Sequence, residues 1–133
     1  MRLRRTRTDG FTLIELLVVV AIIGLLAGVA VGMYSQSIRK AEEAVLKENL
    51  YTTRSAINQY FADKGKYPFD VNALVEDHYL RGVPYDPITR SHNTWIEISA
   101  QMEEEDISIE PGIVDIKSGA EGYSRDGSAF GDW

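Results

Sequence analysis

Eighteen consecutive residues without a charged or strongly polar side chain, Leu16–Met33 (LLVVVAIIGLLAGVAVGM), constrain this chain more than any other feature. A helix rises about 1.5 Å per residue, so the run covers roughly 27 Å, near the hydrocarbon thickness of a bilayer. Phe11, Leu13 and Ile14 extend it. It is too long for the apolar core of an ordinary secretory signal, and no A-x-A-like site follows it. On these residues alone it reads as a single membrane anchor. Arg2, Arg4, Arg5 and Arg7 precede it, and Arg39 and Lys40 follow it beside Glu42 and Glu43. The positive-inside rule leaves the N-terminal arginines in the cytoplasm and sends the C-terminal part outward.

Beyond the run lie about 100 residues, enough for one domain with a modest core. The whole chain carries a formal −6, and its first ten residues carry +3, so without them the remainder stands at −9. An acidic surface does not suit nucleic acid, which needs clustered Lys and Arg. There is no cysteine. Disulfides, thiol catalysis and cysteine-ligated zinc or iron–sulfur centres are therefore excluded.

Glu15 sits inside the apolar region. A carboxylate there is costly and calls for a partner, unless it lies at headgroup depth and is solvated. Around it, Gly10–Leu17 reads G-F-T-L-I-E-L-L. Here the chain resembles the type IV pilin and pseudopilin family, whose short basic leader ends in glycine and is followed by F-T-L-[IL]-E. The resemblance implies cleavage between Gly10 and Phe11 by a prepilin peptidase, N-methylation of Phe11, and a Glu15 required for assembly. On that basis residues 1–10 are a leader, 11–34 a transmembrane and assembly helix, and 35–133 a periplasmic domain. The chemistry agrees. Cleavage frees an amine on Phe11, and pairing it with Glu15 of a neighbouring subunit removes two costly charges from the apolar phase.

Gly24, Gly28 and Gly32 recur every fourth residue, on one helix face. Such faces let membrane helices approach closely, although glycine is also simply common there. Many family members carry proline where this chain has Gly32. Gly28 and Gly32 can supply local weakness instead, at about 1 kcal/mol each relative to alanine.

Leu46, Leu50, Thr53, Ile57, Tyr60 and Phe61 follow a three-to-four spacing, while Lys40, Glu42, Glu43, Lys47, Glu48 and Arg54 take other faces. The pattern predicts one helix from the membrane run to about Asp63, a rod of about 50 residues and roughly 75–80 Å, with the apolar stripe as core. Gly65 and Pro68 end it. Val71–Tyr79 reads as a short helix, Arg81–Pro87 as a loop in which Asp86 initiates a turn, and Trp95–Ser99 and Ile113–Lys117 as strands, with Ile107–Ile109 as a short third. Glu103–Asp106 reads as a solvated acidic connection. The sum is an α+β fold: a long N-terminal helix packed on a small antiparallel sheet, with a C-terminal loop. The G-x-Y-P turn at Gly65–Pro68 and the L-x-x-x-P-x-D-P run at Leu80–Pro87 add to the resemblance to pseudopilins.

The tail, Ser118–Trp133, is rich in glycine and small polar residues. In major pseudopilins of type II secretion a comparable loop closes on tryptophan and commonly binds calcium. The resemblance makes Glu121 and Asp126 the calcium candidates, and no other cofactor is expected. Calcium takes about six to eight oxygens; this tail has Glu121, Asp126 and Asp132, with Arg125 beside Asp126. The alternative is a turn-rich loop pinned against the sheet by Tyr123, Phe130 and Trp133.

His78 and His92 are isolated, and no nucleophile elbow, P-loop or dinucleotide fingerprint is present. The reading is a structural subunit and not an enzyme. Its first form is the major pseudopilin of a type II secretion system, in the bacterial inner membrane with its C-terminal domain in the periplasm. Its expected partners are further copies of itself in a helical homopolymer, minor pseudopilins, an inner-membrane assembly platform, the prepilin peptidase and membrane lipid, with no nucleic acid. Alternatives are a type IV pilin of a surface fibre and, from another class, a single-pass periplasmic sensor or binding module.

Overall fold

The computed structural model describes residues 10–100 and 111–133, and its first element is one α-helix of 52 residues, α1 (Leu13–Lys64). The leader arginines and the strand expected at Ile107–Ile109 lie outside the described residues. The chain divides into two units, the first ending at Ile38 and the second running Arg39–Trp133.

In the first unit α1 is long and apolar enough to cross a membrane, and none of that stretch is buried against other parts of the protein. Apolar side chains such as Leu17, Ile22, Leu25 and Val29 stand exposed around the helix. A helix that is apolar all round has lipid or other helices as its natural surroundings.

In the second unit α1 is amphipathic. Leu46, Leu50, Thr53, Ala56, Ile57 and Tyr60 are buried along one stripe. Thr53 enters the core without an orphan hydroxyl, because Oγ1 donates to the Asn49 carbonyl at 2.7 Å. Phe61 departs from expectation: it is 42 % exposed and stacks on Tyr67 at 4.4 Å between ring centroids, outside the core. Its neighbour Tyr60 points inward instead, and its ring carries Tyr79 at 5.2 Å.

Gly65 ends α1 with φ +68° while its N–H donates to the Phe61 carbonyl at 2.8 Å, a left-handed cap that suits glycine. A second helix, α2 (Val71–Glu76), starts at Asp70, whose carboxylate accepts from the Ala73 N–H at 2.7 Å. It is shorter than the Val71–Tyr79 expected. Asp77 caps it, His78 turns left-handed at φ 65°, and the N–H groups of Tyr79 and Leu80 both reach back to the Leu74 carbonyl.

Strands β1 (Trp95–Ser99) and β2 (Ile113–Ser118) pair antiparallel, from Trp95 opposite Ser118 to Ser99 opposite Ile113. The register slips between Ile98 and Ser99, leaving Val114 as the extra residue. The bulge explains how Ile113 and Ile116, three apart, both bury in the core. Val71, Leu74, Ala120 and Phe130 complete that core with the α1 stripe. Asp86 is fully buried and saturated: Oδ1 accepts from the Ile88 and Thr89 N–H groups, and Oδ2 from the Ser118 hydroxyl at 2.5 Å. The expected turn is thereby tied to β2.

Candidate assembly site

Thr12 and Glu15 grip each other at the start of α1. The Thr12 N–H donates to Glu15 Oε2 at 3.1 Å, and the Glu15 N–H donates to Thr12 Oγ1 at 3.2 Å. This reciprocal pair satisfies two backbone donors that the first helical turn leaves without partners. The T-x-x-E signature ahead of an apolar run announces it, and reading Glu15 only as a partner for a neighbour's amine overlooks it. Glu15 is exposed, and Phe11, just before the cap, is 92 % exposed. The carboxylate, the threonine hydroxyl and the residue expected to carry a free amine thus stand together at one open helix end.

A Cβ added at Gly24, Gly28 or Gly32 would meet nothing within 4 Å. Since residues four apart share a face, the three leave a bare strip of backbone along the apolar part of α1.

At the other end of the chain, the tail forms a small closed loop. Tyr123 bridges to Ala129, the Ser124 N–H donates to the Ser128 carbonyl at 2.8 Å, and a 3₁₀ turn runs Phe130–Asp132. Phe130 is buried and Trp133 packs against the core, the two rings meeting edge to face with their centroids 5.1 Å apart. Tyr123, unlike Phe130 and Trp133, does not help to pin this loop: it is 69 % exposed. The anchoring comes from α1 instead. The Arg125 N–H donates to Glu43 Oε1 at 2.9 Å, Lys47 Nζ lies 4.1 Å over the Trp133 ring, and Arg54 donates to the Trp133 carbonyl at 2.7 Å. These side chains read in the sequence only as a polar helix face.

Among the described residues no three acidic, histidine or cysteine side chains gather where a metal could bind. Asp126 is held well below the usual carboxylate range by the Ser124 hydroxyl, then by the hydroxyl and N–H of Ser128, with Lys47 adding to them. His92 Nδ1 lies 2.9 Å from the Val83 carbonyl, and its ring meets Tyr85 edge-on at 5.2 Å.

Residues 5–31 match the family model described as the prokaryotic N-terminal methylation motif. The fimbrial protein EcpC of Eikenella corrodens is 34 % identical over 79 residues, which cover 56 % of this chain and 52 % of that protein. The type IV major pilin protein PilA of Myxococcus xanthus is 39 % identical over 68 residues, covering 51 % of this chain and 31 % of its own length. The type II secretion system core protein G of Pseudomonas aeruginosa is 32 % identical over 101 residues, covering 64 % of this chain and 71 % of its own length. The chain thus spans about half or less of the two fimbrial relatives and more of the secretion protein. No solved structure matches it.

Proposed function

Given that this chain belongs to the type IV pilin and pseudopilin family, we propose that it is a structural subunit of a type II secretion pseudopilus, and not a catalyst. The observation that favours this fibre over a surface pilus is the extent of likeness. The match to core protein G takes in a far larger share of that relative than the matches to the pilins do of theirs.

In this reading the precursor waits in the inner membrane with α1 across the bilayer and the second unit in the periplasm. Cutting after Gly10 exposes the Phe11 amine, which is then N-methylated. The amine of one subunit pairs with Glu15 of the next, so that neither charge stays alone in an apolar layer. Each pairing fixes the axial register of successive subunits. The strip at Gly24, Gly28 and Gly32 allows close helix approach. Copies stacked in this way, with minor pseudopilins and an inner-membrane platform, would push folded cargo through the outer-membrane pore. The work would come from a separate cytoplasmic ATPase.

Deleting the chain in its host, with extracellular proteins profiled and surface pili imaged together, tests the proposal. Loss of secreted proteins with pili intact is expected. Loss of pili with secretion intact would instead make it a pilin, the reading that the higher identity to PilA favours. Detection of a free N-methyl-Phe11 terminus by mass spectrometry would eliminate the reading as an uncleaved, anchored periplasmic module.

A further inference from the structure

The C-terminal loop is where the resemblance to major pseudopilins implies calcium, and the donors present there do not fit that ion. A calcium site needs carboxylate and carbonyl oxygens turned toward a common point, about six to eight of them. Here both oxygens of Asp126 are engaged. Oδ1 accepts from the Ser124 hydroxyl, from the Ser128 N–H at 3.0 Å and from the Ser128 hydroxyl at 2.6 Å. Oδ2 faces Lys47 Nζ at 3.9 Å. Several loop carbonyls are engaged as well. Those of Gly122, Ser124 and Ser128 accept from the N–H groups of Phe130, Gly127 and Ser124. Glu43, the carboxylate that α1 brings to the loop, accepts from the Arg125 N–H. An ammonium group already stands beside Asp126, and a divalent cation placed there would be repelled by it.

The same groups reach the aromatic anchor. Trp133 Nε1–H donates to the Ser128 hydroxyl at 2.7 Å, and that hydroxyl donates onward to Asp126. Lys47 touches both ends of the relay, at Asp126 and over the Trp133 ring. The exposed Lys47–Asp126 pair contributes little as an isolated ion pair. Its weight lies in placing a positive charge beside Asp126, while the serines close the loop.

We propose that residues 119–133 are closed by an internal donor set, with Ser124, Ser128 and Lys47 converging on Asp126, and that this loop folds independently of calcium. The inference goes beyond the proposed function and does not depend on which fibre the subunit joins.

The test uses the full chain in detergent micelles, with calcium chloride or a chelator, and reads both thermal unfolding and amide exchange of peptides covering residues 119–133. A calcium site of extracellular affinity, with Kd about 10⁻⁴ M, would raise the midpoint by about 5 °C or more at millimolar calcium. The expected result is no shift and the same exchange in both conditions. A calcium-dependent rise in midpoint, or calcium-dependent slowing of exchange in the loop, would overturn the proposal. Ser128→Ala should accelerate loop exchange about five- to ten-fold, equally with and without calcium. If it leaves exchange unchanged, the internal donor set is not what closes the loop. The wild-type comparison stands even if that variant does not fold.

Discussion

Arg54 donates to the carbonyl oxygen of Trp133 at 2.7 Å, across 79 positions of sequence. The same guanidinium donates to the Ile116 carbonyl at 2.9 Å and to Asp115 Oδ1 at 2.6 Å. One side chain of α1 thus ties the second strand and the end of the tail to the helix. A planar fork with several donors suits this, and a lysine could not reproduce it. Arg54→Ala is expected to lower unfolding stability by about 2 kcal/mol. Chemical denaturation of the full chain in micelles measures this, and Arg54→Lys should recover only part of the loss.

Glu15 is an acceptor in the helix cap, and in the proposed assembly it also serves as a charge. Glutamine can serve in the cap equally well. Glu15→Gln should therefore keep the start of α1 ordered while fibre assembly fails. Circular dichroism in micelles follows the helix, and shearing and pelleting of fibres follows assembly. Assembly at the wild-type level would show that the charge at Glu15 is not needed.

Gly119 directly follows β2 and lies against the backbone of Thr94. A Cβ there would stand 2.1 Å from the Thr94 carbonyl oxygen, which is backbone and cannot swing aside. Gly119→Ala should cost about 2 kcal/mol or more through overpacking. Alanine at Gly82, where the space is open, is the control, and comparing the two unfolding midpoints isolates the contact.

Stability should form a plateau in pH with a fall at each end. Hydrogen bonds from Ser124 and Ser128 lower Asp126, and the hydrogen bond from Lys64 lowers Asp77, both from an ordinary 3.8. A lowered carboxyl binds its proton less readily in the folded chain. The stability it contributes is complete above about 4 and is lost as pH falls further. At the alkaline end, Asp77 raises Lys64 above 10.5, and the bond to Asp63 raises Tyr79 above 10.0. Their contributions are complete below about 10 and are lost as pH rises beyond it. Thermal midpoints across pH in micelles check both limits. Asp126→Asn should reduce the acid-side loss.

The parts of the fold legible beforehand are those governed by local chemistry. The long helix follows from unbroken apolar and amphipathic periodicity ended by Gly65, and β1 from its alternation in W-I-E-I-S. The end of α2 was not legible, because Tyr79 and Leu80 folding back onto the Leu74 carbonyl depends on packing against Tyr60 and Asp63. Phe61 lies outside the core and Tyr60 inside it, a choice between adjacent aromatics that three-to-four spacing does not make. Within the candidate site, Thr12 was readable from T-x-x-E. The partners of the tail were not, since Glu43, Lys47 and Arg54 meet it only through the tertiary fold.

Near the boundary between the two units, Ser35 Oγ donates to the Gly32 carbonyl at 2.9 Å, and Ser37 Oγ to the Met33 carbonyl at 3.1 Å. Hydroxyls bonded in this way compete with the helical N–H for the same oxygen and soften the helix. Gly28 and Gly32 soften it further. Under a pull along its axis, α1 would therefore yield first over residues 28–37, before the packed stretch beyond Leu46 gave way. In the proposed fibre, stretching would draw first on those ten residues of each subunit.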